Sequence, residues 1–142
     1  MNLIDAVYAT LRSDQKILQM LGLPIAPTQE ELAKRIVRGM EPDHTITADT
    51  IPMILAYIKP GRFTRNHLVY EGKFCLEFLS HTTKQTREMA DRAFDLFHDK
   101  SIQLQGFRTF CCELAFDTHF ATGITGVKGY SAVYDVDYLR MN

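Results

Sequence analysis

The chain reads as an α+β fold: a mainly antiparallel four-stranded sheet covered on one face by helices, with a long C-terminal β-hairpin. Two observations predict this. The apolar period is helical up to about residue 40, two from about residue 52, helical again over 83–98, and two to the end. The order that results sets two ββ units around one long helix, which favours an antiparallel sheet over a βαβ arrangement. A length of 142 residues fits one domain, 1–142.

The elements follow in chain order. Leu3, Ile4, Val7, Tyr8 and Leu11 recur at helical spacing and predict a helix over 3–12. Ser13 or Asp14 can cap a second turn carrying Ile17, Leu18 and Leu21, which Gly22 ends. Pro24 and Pro27 enforce an extended connector. Thr28 and Glu31 make a capping-box pattern, and Leu32, Ile36, Val37 and Met40 mark a helix near 29–39. Glu30–Lys34 and Glu31–Arg35 are favourable i,i+4 pairs on its wet side. Residues 41–50 read as a loop.

Residues 53–58 read as a buried strand that Pro60-Gly61 breaks. In the strand 69–80, Phe74, Leu76 and Phe78 alternate against Lys73, Cys75 and Glu77. Thr82 and Gln85 are a second capping-box candidate. Behind them Met89, Ala90, Ala93, Phe94 and Phe97 put one apolar stripe on a helix over 83–98 that covers the sheet. In 107–117, Phe110, Cys112, Leu114 and Phe116 are expected to share a face opposite Thr109, Cys111 and Glu113. In 130–139, Tyr130, Ala132, Tyr134 and Val136 share one opposite Asp135 and Asp137. The link 118–129 carries Gly123, Gly126 and Gly129.

Composition excludes several functions. Hydrophobic residues make up 46% and charged residues 23%, which rules out disorder. No run of about 18 apolar residues marks a membrane span. The net charge is −1 and both halves of the chain are balanced, whereas a dedicated DNA binder carries a basic excess. The N-terminus lacks the pattern of a signal peptide. Cys75, Cys111 and Cys112 cannot all pair in one chain, and neighbours on a strand point to opposite faces. Free, mostly buried thiols in a reducing compartment are therefore expected.

No motif for chemistry stands out. Gly123-x-x-Gly126-x-x-Gly129 matches no phosphate-loop spacing and reads as a hairpin tip. His81, His98, Cys111, Cys112 and His119 lack the paired spacing of a zinc site, so no metal or other cofactor is expected. A mid-strand Cys111 or Cys112 with His119 as base lacks a source of thiolate stabilisation. Lys59, Arg62, Arg65 and Lys73 gather around a single acid, Glu71; this turn is a solvated hairpin loop, or else it contacts nucleic acid or an acidic partner. Tyr130, Tyr134 and Tyr138 could stack bases, but tyrosine is also a good strand residue.

The pattern as a whole resembles the phage tail terminator and tail-completion family. The resemblance rests on Val7-Tyr8-x-x-Leu11-x-x-Asp14-x-x-Ile17-Leu18-x-x-Leu21; on the strand Phe74–Ser80 running into the helix Glu88–Phe97; and on the hairpin crossing Gly123-Ile124-Thr125-Gly126 to Gly129–Val136. It spans roughly 1–22 and 50–140, with the helix near 29–39 as an insertion. The resemblance implies a structural virion protein without catalytic residues. Such proteins form rings, often hexameric, on the end of the tail tube; they stop its polymerisation and join it to the head connector, while DNA passes through without sequence-specific binding. It implies a place in the tail or neck of a virion assembled in the bacterial cytoplasm. Phe120, Gly123, Ile124, Gly126, Val127 and Gly129 are then the expected contact with an adjacent subunit or the tube, because apolar residues on a loop are sticky unless docked. Lys59, Arg62 and Arg65 form an expected second partner-facing turn. The alternatives are another neck or head-completion ring protein, or a small cytoplasmic enzyme with a pocket between helix 83–98 and the sheet.

Overall fold

The computed structural model describes residues 2–42 and 45–140. Helix α1 (Leu3–Arg12) starts at Asn2, whose Oδ1 accepts from the Asp5 amide at 3.0 Å. Helix α2 (Gln15–Met20) is capped by Asp14, which accepts from the Ile17 amide. Helix α3 (Gln29–Arg35) carries both arms of the Thr28–Glu31 capping box, at 3.2 and 3.1 Å.

The helix expected over 29–39 stops four residues early. Ile36–Arg38 instead forms strand β1, parallel to β2 (Met53–Phe63). The β-branched pair Ile36-Val37 suits a strand, and it places Ile36 in the main core and Val37 against a smaller one. Arg35 does not pair with Glu31; its Nη1 donates to the carbonyls of Thr50 and Pro52. Of the loop 41–50, residues 43 and 44 lie outside the described residues, and the rest contains neither helix nor strand.

Strand β3 (Val69–Ser80) has the expected bounds. Helix α4 (Thr83–Phe97) is capped by Thr82, but the Gln85 side chain accepts from Ser80 Oγ instead of closing a capping box. Then come β4 (Ser101–Leu104), which the sequence pattern did not reveal, β5 (Phe107–Ala121) and β6 (Lys128–Leu139).

The expected four-stranded antiparallel sheet under a helical cover is wrong. The sheet has six strands in the order β1-β2-β3-β6-β5-β4, is mixed because β1 runs parallel to β2, and curls into a half-barrel. The two short strands were missed because each is too brief to show a period. Pro60-Gly61 does not break β2 either. A bulge between Lys59 and Arg62 absorbs the proline, and a Cβ on Gly61 would lie 2.4 Å from the Glu71 carbonyl, so glycine lets the strands stay together there.

The main core lies on one side of the sheet. Ile54, Ala56, Phe74, Leu76, Phe78, Tyr130, Ala132, Tyr134 and Val136 meet α1, α2 and α4 there. On the other side, Ile51, Met53, Leu55, Leu79 and Val127 form a small cluster, and Tyr57, Cys75 and Val133 another. The tyrosines are core residues here: Tyr130 and Tyr134 are buried and Tyr138 is half-buried, which removes the base-stacking reading.

Strand β5 departs from its expected alternation. Bulges between Thr109 and Cys112 and between Leu114 and Phe116 shift the phase twice, so Phe110 is 54% and Phe116 60% exposed while Cys112 is buried. Phe94 lies at the edge of the α4 stripe, 38% exposed and stacked on His98. The expectation of mostly buried thiols changes accordingly: Cys75 and Cys112 are buried, and Cys111 is exposed. Burial raises the Cys75 thiol pKa and pushes that of Cys112 up to about 12. Native protein should therefore take up one maleimide per chain, at Cys111, and denatured protein three. Mass spectrometry showing no native label, or three, would contradict this packing.

Candidate functional site

The hairpin joining β5 to β6 turns through residues 122–127, a shorter link than 118–129. Gly123 and Gly126 adopt positive φ, +76° and +83°. Thr122 Oγ1 ties the turn by donating to the Val127 carbonyl at 2.9 Å and accepting from the Ile124 amide at 3.1 Å. The apolar residues separate into two groups. Val127 is buried against Ile51, Met53, Leu55 and Leu79, and Phe120 packs on the same cluster. The Phe120 ring also roofs Gly129, where a Cβ would lie 2.6 Å from it. These three residues hold the hairpin to its own sheet, and Ile124 at the tip is the side chain left facing outward, at 36% exposure.

The basic turn lies at the far end of the sheet. Arg62 Nε pairs with Glu71 at 3.2 Å, the Lys59 ammonium sits 5.5 Å from the centre of the Tyr57 ring, and Arg65 is exposed. It is not contiguous with the hairpin tip: Phe63 pairs with Tyr70 near the open end of β3, whereas Lys128 pairs with Ser80 at its other end.

Strand pairing also creates a feature that no local pattern announced. Lys59 stands opposite Lys73, Lys73 opposite Asp135, and Asp135 opposite Glu113. All four belong to the side of the sheet that carries Tyr57, Cys75 and Val133, away from the helices. The row thus runs from two cations to two anions across β2, β3, β6 and β5. Its middle is satisfied by the Lys73–Asp135 salt bridge. Its ends are like-charge neighbours, which destabilise each other on a sheet. Asp137 adds to the acidic end: burial first, then Glu71, Asp135 and Glu113, raise its carboxyl pKa.

The remaining candidates do not converge. His98 Nδ1 accepts from the Leu114 amide at 3.0 Å, and His119 lies edge-on to Tyr130. Among the described residues no three His, Cys, Asp or Glu side chains are placed to hold a metal ion. Between α4 and the sheet lies a cleft of about 200 Å³ lined by Ala90, Asp91, Phe94, Leu114, Asp117, Ala132 and Tyr134. Asp117 is already engaged there, accepting from the Tyr130 hydroxyl. Among the described residues no helix is long and apolar enough to cross a membrane.

No family model and no curated protein matches the chain. Its fold, however, is similar to that of a chain in the virion of a native gene transfer agent particle. The TM-score is 0.65 at 11% identity, over 97% of this chain and 95% of that one. At that identity the likeness is one of fold.

Proposed function

We propose that the protein is a structural component of a phage-type virion, a tail terminator that caps the tail tube as a ring and forms the joint to the head connector. The observation that carries this reading is the whole-length fold likeness to a chain of a gene transfer agent virion. The sequence resemblance supports the finer role, and so does a surface in which charge and exposed apolar residues are sorted to edges and tips instead of converging on a pocket. A second neck-ring role shares all of these features and differs only in which neighbour is bound. The enzyme alternative loses ground because the cleft under α4 holds a carboxylate already committed to a tyrosine.

The test is assembly on purified tail tubes. Six 16.3 kDa chains give a ring of about 98 kDa, visible by native mass spectrometry and as capped tube ends in electron micrographs. Ile124→Asp should keep the melting temperature near wild type, since an exposed substitution usually changes stability by within about 0.5 kcal/mol. It should nevertheless lower the fraction of capped tubes several-fold. A protein that neither forms rings with tubes present nor occurs in purified virions is not a terminator.

A further inference from the structure

We infer that the cleft between α4 and β5 binds a primary alkylammonium group, the end of a lysine side chain or of a free polyamine. It does so whether or not the subunits form a ring. Ala90 and Phe94 of α4, Leu114 of β5 and Ala132 of β6 give it apolar walls, and Asp91, Asp117 and Tyr134 give it polar atoms. No lysine, arginine or histidine lines it. Its volume of about 200 Å³ accommodates a lysine-like stem, which apolar walls can cover while the charged head meets carboxylates.

Tyr134 marks the cleft as more than a gap in the packing. The residue is 1% exposed, with its ring stacked on Phe74 and tilted against Phe97. Its hydroxyl makes no hydrogen bond with any described residue, yet no fully enclosed side-chain oxygen or nitrogen among them lacks a partner. The hydroxyl is therefore the part of Tyr134 that reaches the open space of the cleft. A buried tyrosine usually finds a partner for its hydroxyl. Here that partner has to come from the cleft. Burial raises the pKa of this phenol, and the negative field of Asp117 and Asp91 adds to the rise, so the hydroxyl stays protonated beside two carboxylates.

The charges favour an ammonium. Asp91 is shared with Arg87 at 3.6 Å, whereas Asp117 takes part in no salt bridge among the described residues. Asp117 Oδ2 accepts from the Tyr130 hydroxyl, which leaves Oδ1 for a ligand. One engaged oxygen weakens Asp117 as a base but leaves its charge in place. An ammonium carries three donors, and Asp117 Oδ1, the Tyr134 oxygen and the Asp91 carboxylate are three acceptors. A guanidinium is bound best by both oxygens of one carboxylate. Tyr130 and Arg87 already engage the two carboxylates here. A divalent metal ion is disfavoured, because no three His, Cys, Asp or Glu side chains gather among the described residues.

The experiment is a titration of full-length, ¹⁵N-labelled protein with n-butylammonium chloride at neutral pH and constant ionic strength, followed by NMR. The amides of Ala90, Phe94, Leu114 and Ala132 should shift saturably, and sodium chloride or n-butanol should not reproduce the shifts. Asp117→Asn should raise the Kd about tenfold and Tyr134→Phe about threefold, the scales of a charged and a neutral hydrogen bond. Glu113→Gln, an acid on the other side of β5, should leave it unchanged. Tyr134→Phe removes no hydrogen bond within the protein, so its melting temperature should stay near wild type; should it not, Asp117→Asn alone decides. Shifts that do not saturate, shifts that sodium or butanol reproduce, or a Kd indifferent to Asp117→Asn would each overturn the proposal. Two further probes separate the sources. Tighter binding of Nα-acetyl-lysine methylamide than of butylammonium supports a partner's lysine, and tighter binding of putrescine supports a free polyamine.

Discussion

Phe97→Ala should lower the free energy of unfolding by about 3–5 kcal/mol, the range for truncating a buried aromatic, read from denaturant midpoints at constant slope. Phe97 is 1% exposed. Its ring meets Phe74 edge-on at 5.2 Å and Tyr134 at 5.8 Å, while Phe74 and Tyr134 stack on each other at 5.2 Å. The three rings bind α4 to the two central strands, so the cavity would open where helix and sheet meet. Phe94→Ala is the control, three residues earlier on the same helix. Its ring rests on His98 at the surface, and its loss should cost about 1 kcal/mol or less. Equal losses at the two positions would mean that α4 is rotated from the orientation described.

That pair also shows how far the sequence could be read. The apolar stripe on the long helix was legible because Met89, Ala90, Ala93 and Phe97 follow one face. Phe94 sits at the border of that face, and a binary apolar pattern cannot say on which side of a border a ring falls. Strand β6 was legible for a similar reason: no bulge interrupts its register with β3, so Tyr130, Ala132, Tyr134 and Val136 stay on one face. Strand β5 was not, because two bulges change its phase and a bulge depends on the partner strand. Residues 36–38 were absorbed into a helix because a three-residue strand has no period of its own.

The candidate site divides along the same line. The glycine positions at the hairpin tip could be read because turn chemistry is local. The burial of Val127 and Phe120 could not, since their partners Ile51, Met53 and Leu55 lie some seventy residues away in sequence. The row Lys59–Lys73–Asp135–Glu113 was invisible for a further reason. It exists only once three registers are fixed, and the charge balance of each half of the chain conceals it.

Asp14→Ala should cost about 3 kcal/mol at neutral pH, from loss of a helix cap and of a largely buried ion pair. Asp14 caps α2 through the Ile17 amide, and both carboxylate oxygens accept from Arg92 on α4, at 2.9 Å from Nε and 2.6 Å from Nη2. The side chains are only 11% and 24% exposed, so solvent screens the pair weakly. The hydrogen bond from Arg92 is the largest influence on the Asp14 carboxyl, burial opposes it, and the net effect lowers its pKa below the usual value of 3.8. A carboxyl that is more acidic in the folded state than in the unfolded chain stabilises the fold above the unfolded pKa. That contribution fades as pH falls through the folded pKa. Asp14→Asn separates the two roles, because asparagine caps a helix as well as aspartate does but carries no charge. It should destabilise the protein at pH 7, and the gap to wild type should narrow as pH falls below the ordinary value of 3.8 and through the depressed pKa of the folded state. A double-mutant cycle with Arg92→Ala should show a coupling of about 1 kcal/mol or more at pH 7, shrinking in acid. A coupling near zero at neutral pH would mean that α2 and α4 are held together by their apolar faces alone.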